Sequence, residues 1–113
     1  PDLVERFLRA TLKGYIWTTE NKREATAFVI EAAPDRNLDL ETKKLGIIYD
    51  SYASPDFSER FGMMSDAKWA ESVNVLGDDI PTQPEPASLY TNEFVEKLPE
   101  AAEFAKILGG AQD

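Results

Sequence analysis

Cysteine and histidine are both missing from this 113-residue chain, and the two absences remove much of the usual chemical repertoire. Without cysteine there is no disulfide, no thiolate metal ligand and no thiol nucleophile; without histidine, the side chain that most often moves protons near neutral pH is gone. A cysteine-free chain suits cytoplasm and periplasm alike, so the count does not choose a compartment. Positive charge is scarce: twelve Lys and Arg face twenty-one Asp and Glu, for a formal net charge of -9. Such a balance repels phosphate backbones and anionic headgroups and disfavours nucleic acid and membrane surfaces as partners. No apolar run approaches the roughly 20 residues that a spanning helix needs, and Pro1-Asp2-Leu3-Val4-Glu5-Arg6 does not form a basic-then-apolar leader.

What is present is ordinary globular composition, 42% hydrophobic and 29% charged, enough to bury a core in one domain-sized unit. From Leu3 to Ile16 the residues Val4, Phe7, Leu8, Leu12, Tyr15 and Ile16 recur at spacings of three and four and predict a helix with one apolar face. Asn21-Lys22-Arg23-Glu24 has the form of a capping box and predicts a second helix to about Ala33, ended by Pro34 and the turn Asp35-Arg36-Asn37. Asp39 is the expected cap of a third helix with Leu40, Lys44, Ile47 and Ile48 on one face. Ser54-Pro55 reads as a break, with a short helix around Phe57 and Phe61 closed by Gly62.

Ser65 or Asp66 then caps a fourth helix carrying Trp69, Val73 and Leu76, and Gly77 stops it. Asp78 to Pro86, with three prolines, predicts an extended connection. One or two turns follow over Asn92 to Leu98, capped by Thr91 or Asn92; a last helix over Pro99 to Leu108 is closed by Gly109-Gly110, and a mobile tail follows. No alternating strand and no repeat is found, so the fold class expected of the chain as it stands is mainly α.

No residue set specifies a reaction, and no catalytic residue, metal ligand or cofactor is assigned. Asp78, Asp79 and Glu85 lack the alternating acids and central glycine of a calcium loop and read as a solvated acidic segment. Glu20 with Glu24, or Glu93 with Glu96, are spaced like surface charge on helices rather than like a glycosidase pair. Gly109-Gly110 follows no strand, which favours a C-cap over a dinucleotide loop. Trp17, Trp69, Tyr15 and Tyr90 are able to stack on a planar ligand. Trp69, in phase with Val73 and Leu76, is expected in the core, whereas Trp17 lies just off the first helix's stripe.

Several segments together resemble a known family. Pro1-Asp2-Leu3-Val4-Glu5-Arg6-Phe7-Leu8-Arg9-Ala10-Thr11-Leu12-Lys13-Gly14 is similar to the helix that opens the last third of the solute-binding proteins of ABC importers for pyrimidine precursors of thiamine, taurine, alkanesulfonates and nitrate. Gly62-Met63-Met64-Ser65-Asp66-Ala67-Lys68-Trp69 resembles that family's Gly-x-Met segment, and Leu89-Tyr90-Thr91-Asn92-Glu93-Phe94 its closing Tyr-Thr-Asn element. The resemblance implies the helical C-terminal portion, residues 1–98, of a bilobal α/β type II periplasmic-binding-protein-like fold, followed by a C-terminal helix and tail over 99–113. It implies a non-enzymatic role in capturing a small polar or heteroaromatic solute for an ABC permease, in the periplasm or lipid-anchored outside the cytoplasmic membrane. No ligand-contacting residue carries over. Apolar stripes shaped to cover a neighbouring lobe would pack on it or drive self-association. Two other readings are a pyrimidine-precursor synthase sharing that fold, and an autonomous helical interaction module whose aromatic stripe binds a partner helix.

Overall fold

A computed structural model describes residues 1–53 and 59–110; the expected short helix around Phe57 and the tail beyond Gly110 lie outside them. The α-helices are α1 (Asp2–Glu20), α2 (Lys22–Ala32), α3 (Leu38–Tyr52), α4 (Asp66–Leu76) and α5 (Pro99–Gly110), with single 3-10 turns at Gly77–Asp79, Pro86–Ser88 and Val95–Lys97. Among the described residues there is no strand.

The core forms around α5. Pro99 opens the helix with a preset φ, and Ala101, Phe104, Ala105 and Leu108 repeat at i, i+3, i+4 and i+7, which places all four on one buried face. Phe104 and Leu98 are fully enclosed, and α1 contributes Leu12 and α3 contributes Tyr49 to the same cluster. Around Phe104 the rings of Tyr15, Tyr49 and Phe61 lie at centroid distances of 5.8, 5.9 and 4.8 Å, the last two edge to face. That geometry opposes the positive ring edge to the negative ring face. Burying a side chain such as Phe104 contributes about 1.5–3 kcal/mol. The Tyr49 hydroxyl donates to the Tyr15 carbonyl at 3.0 Å, so its polar end is satisfied inside the core. Two bonds hold the start of α5: the Phe61 N–H donates to the Ala101 carbonyl at 3.0 Å and Arg60 Nη1 to the Leu98 carbonyl at 2.9 Å.

The helix starts show which capping chemistry is used. Ser65 caps α4 as expected, its hydroxyl accepting from the Lys68 N–H at 3.3 Å, and Gly77 ends that helix at φ +49, open to glycine without strain. α3 is capped by Asn37, which accepts from the Leu40 N–H at 2.9 Å, and not by Asp39, which pairs with Arg23 at 2.6 Å. The capping box at Asn21 is not made. α1 runs one turn past Ile16, and the Asn21 side chain donates backwards to the Trp17 carbonyl at 2.8 Å. The expected turns over Asn92 to Leu98 contract to Val95–Lys97, and Gly109 and Gly110 lie within α5 instead of capping it.

The architecture corrects the expectation of a type II periplasmic-binding-protein-like α/β fold. Strands would have to supply the surface that the apolar stripes cover. Here Leu12, Tyr15, Ile16 and Tyr49 pack in one cluster with Phe104 and Leu108 of α5 of the same chain, and no strand occurs among the described residues. The buried face of α3 also differs from the expected one: Leu45, Tyr49 and Tyr52 turn inward, whereas Leu40, Ile47 and Ile48 are exposed.

Phe104→Ala is expected to lower unfolding stability by about 3–5 kcal/mol, and Ile47→Ala to change it by less than about 0.5 kcal/mol. Urea melts giving the two variants similar midpoints would show that the core lies elsewhere. Burial pushes the Tyr49 hydroxyl above its ordinary pKa of 10.0. The folded chain therefore keeps that proton where the unfolded chain loses it, so stability is intact below pH 10.0 and falls as pH rises beyond it. Tyr49→Phe is expected to flatten part of this alkaline decline in melts recorded on either side of that pH.

Candidate interaction face

α2 and α3 pack as a pair. At their contact the hydroxyls of Thr26 and Thr42 lie 2.9 Å apart, and Thr42 donates to the Leu38 carbonyl at 2.7 Å. Thr26, which also bonds the Lys22 carbonyl, is buried, so these small hydroxyls let the two backbones approach while staying satisfied. The polar contact orients the remaining faces: α3 turns its tyrosines to the core, and the isoleucines face away.

Large apolar side chains stay exposed on these helices. Trp17 at the end of α1 lies beside Phe28 of α2, ring centroids 6.5 Å apart. Phe28 is 61% exposed and Ile47 68%. Val29 and Ile48 stand next to them in sequence and share the wall of a groove of about 380 Å³ whose lining includes Tyr15, Leu45 and Tyr52. Glu41, also on that groove, is engaged by Lys44 at 3.0 Å and Arg36 at 3.5 Å. A second apolar group, Leu3, Val4 and Phe7, is exposed at the start of α1. Nine of the thirteen exposed large hydrophobics among the described residues belong to α1, α2 and α3.

Charge is partitioned in the opposite sense. Residues 1–53 hold eight Lys and Arg against nine Asp and Glu, a balance of -1; the other sixty residues hold four against twelve, a balance of -8. The apolar face therefore belongs to a nearly neutral segment, and the acidity sits on the rest of the chain.

A second constellation joins the turn before α4 to the segment after Pro86–Ser88. Asn92 grips the backbone of Met64 from both sides, its Oδ1 accepting from the Met64 N–H at 2.9 Å and its Nδ2 donating to the Met64 carbonyl at 2.8 Å. Tyr90 donates to Asp66 Oδ1 at 2.8 Å, and this bond to a carboxylate pushes the Tyr90 hydroxyl above its ordinary pKa of 10.0. Trp69 and Tyr90 lie parallel within 4° at 6.2 Å, an offset stack whose spacing is below the roughly 7 Å that a ring sandwiched between two others needs, twice the optimal carbon contact distance.

No family model, curated protein or solved structure matches this chain. The helical architecture, without a strand among the described residues, overturns the assignment to the ABC-importer receptors, and with it the synthase reading that depends on the same α/β fold. Of the three segments that carried the resemblance, Pro1 to Gly14 forms most of α1, while Gly62 to Trp69 and Leu89 to Phe94 are two sides of one local contact made by Asn92, Tyr90 and Trp69.

The other residues singled out from sequence do not converge. Asp78 and Asp79 lie in one 3-10 turn and Glu85 precedes another; among the described residues no three carboxylates are placed to hold a metal ion. Glu20, Glu24 and Glu96 are exposed, and Glu93 pairs with Lys97 at 3.6 Å. Tyr15 belongs to the core cluster, Trp17 to the exposed face, and Leu76 is 51% exposed despite its phase with the buried Val73. Sequence reasoning passed over Glu100, whose Oε1 lies 3.3 Å from Arg9 Nε while its Oε2 is buried without a hydrogen-bond partner. Its position at the start of α5 signals only a favourable site for negative charge.

Asn92→Ala removes both bonds to Met64. The expected result is a loss of about 1–2 kcal/mol, given roughly 1 kcal/mol per intramolecular hydrogen bond, together with faster hydrogen exchange at the Met64 amide. An unchanged exchange rate there would mean that the clamp does not persist in solution.

Proposed function

We propose that this chain is a helical protein-interaction module that works by docking its α1–α3 face onto another protein surface, and that it acts by binding rather than by chemistry. The observation that carries this reading is the set of large apolar side chains left exposed on α1–α3, Trp17 beside Phe28 and with them Val29, Ile47 and Ile48, borne on a segment of balance -1 within a chain of net charge -9. Folding does not explain it, because α5 already supplies the core with Phe104 and Leu98. Exposed apolar patches of this kind have a water-contact cost and mark surfaces that are covered in use. The groove lined by Val29, Leu45, Ile48 and Tyr52 provides relief of the kind that receives a helix by its i, i+3, i+4 side chains.

The test compares the unaltered chain with the double variant Phe28→Glu/Ile47→Glu in dilute solution. The unaltered chain is expected to bind an apolar fluorescent dye, and the variant to lose most of that signal. Because both positions are exposed, the thermal midpoint should fall by no more than a few degrees, the shift that roughly 0.5 kcal/mol produces in a chain of this size. If the variant unfolds outright, the two side chains serve folding and the docking reading is wrong.

A further inference from the structure

We infer that the partner docking on Trp17 and Phe28 is a basic amphipathic helix of another protein, held by an arginine or lysine beside Trp17 and by the carboxylates around the two rings. This rests on the docking reading and adds the chemistry of the partner.

Trp17 joins two exposed features. Its ring lies 6.5 Å from that of Phe28. It also lines a recess of about 440 Å³ between α1 and α5, together with Lys13, Glu100 and Glu103. An indole and carboxylates lining one recess suit a cation on an apolar stem, because the ring face attracts the charge while its area covers the methylene groups.

The acids near the aromatic pair repeat that demand. Glu20 lies three residues after Trp17 on α1, and Glu24 and Glu31 lie four before and three after Phe28 on α2, spacings that make them surface neighbours of the two rings. Glu20, Glu24, Glu31 and Glu103 are exposed, and none of the four makes an ion pair among the described residues. Lys13 before Trp17 and Lys106 after Glu103 are the cations nearest in helix spacing, and neither pairs with these acids.

The near-neutral balance of residues 1–53 does not extend to this site. Arg6, Arg9, Arg23, Arg36 and Lys44 are committed to Asp2, Glu100, Asp39 and Glu41. Lys22 donates to the Thr19 carbonyl, its ammonium 5.4 Å from the centre of the Tyr49 ring. An acidic helix would add like charge to the unpaired carboxylates, whereas a basic one supplies their partners. A helix also sets a cationic and an apolar side chain about 5–6 Å apart at i and i+3 or i+4, close to the 6.5 Å between the Trp17 and Phe28 rings.

The experiment titrates the unaltered chain, by calorimetry, with a synthetic amphipathic helix of Leu and Arg, with the same peptide bearing Glu in place of each Arg, and with spermine. The Arg peptide is expected to bind one per chain, with an affinity that falls as salt rises. The Glu peptide should not bind, and spermine should bind more weakly than the Arg peptide. Glu20→Gln/Glu24→Gln/Glu31→Gln and Trp17→Ala should each raise the dissociation constant of the Arg peptide about tenfold, as expected for three exposed ion pairs in one case and an aromatic anchor in the other. Asp78→Asn/Asp79→Asn/Glu85→Gln removes the same formal charge from the connection after α4 and should leave the constant unchanged. Circular dichroism should show all three variants folded. If this second triple weakens binding as much as the first, net charge alone draws the peptide and the inference is overturned; spermine binding as tightly as the peptide overturns it too. A chain that binds apolar dye but not the Arg peptide, or takes the Glu peptide equally well, sinks the basic partner and leaves the docking reading standing. A chain that binds neither dye nor peptide removes both.

Discussion

The fold depends on the insertion of Phe104 between α1 and α3. Those helices do not make a core by themselves: Leu12 and Tyr49 are the buried apolar residues of α1 and α3, and both reach that state by contact with α5. The rings of Tyr15, Tyr49, Tyr52 and Phe61 close around the same point, so one side chain organises most of the aromatic content of the centre. Because the two bonds from Phe61 and Arg60 fix where α5 begins, chain entry and core packing are a single constraint.

A core concentrated on one side leaves the opposite side of the helical layer without cover. α3 has apolar character on both faces, tyrosines on one and isoleucines on the other, and only the tyrosine face is used internally. A chain built this way needs some other means of staying dispersed. The acidic excess beyond residue 53 supplies it through like-charge repulsion between copies.

The sequence was legible where a single pattern had no competitor. The spacing of Ala101, Phe104 and Leu108 names the buried stripe of α5, and Ser65 and Gly77 mark the ends of α4. It was ambiguous where two solutions were nearly equal. Leu40, Lys44 and Ile47 make as good a helical face as Leu45, Tyr49 and Tyr52, and only the position of α5 chooses between them. Asn37 and Asp39 are both able caps, and the ion pair from Arg23 draws Asp39 away. The outward face was visible as apolar residues but not as a surface, because exposure is a property of packing. The likeness to transport receptors failed for a related reason: the phrases around Met64 and Asn92 specify a local clamp, and a local clamp does not fix an architecture.

That clamp has a chemical consequence for the lifetime of the protein. Asparagine ages when the backbone nitrogen of the following residue attacks its side-chain amide carbon to form a cyclic imide, which opens to aspartate or isoaspartate. Here the following nitrogen, that of Glu93, donates to the Thr91 hydroxyl at 3.2 Å, while both polar atoms of the Asn92 amide are held by Met64. Attacking atom and target are restrained by separate partners, so the residue that joins these two segments is also sheltered from its own commonest route of decay.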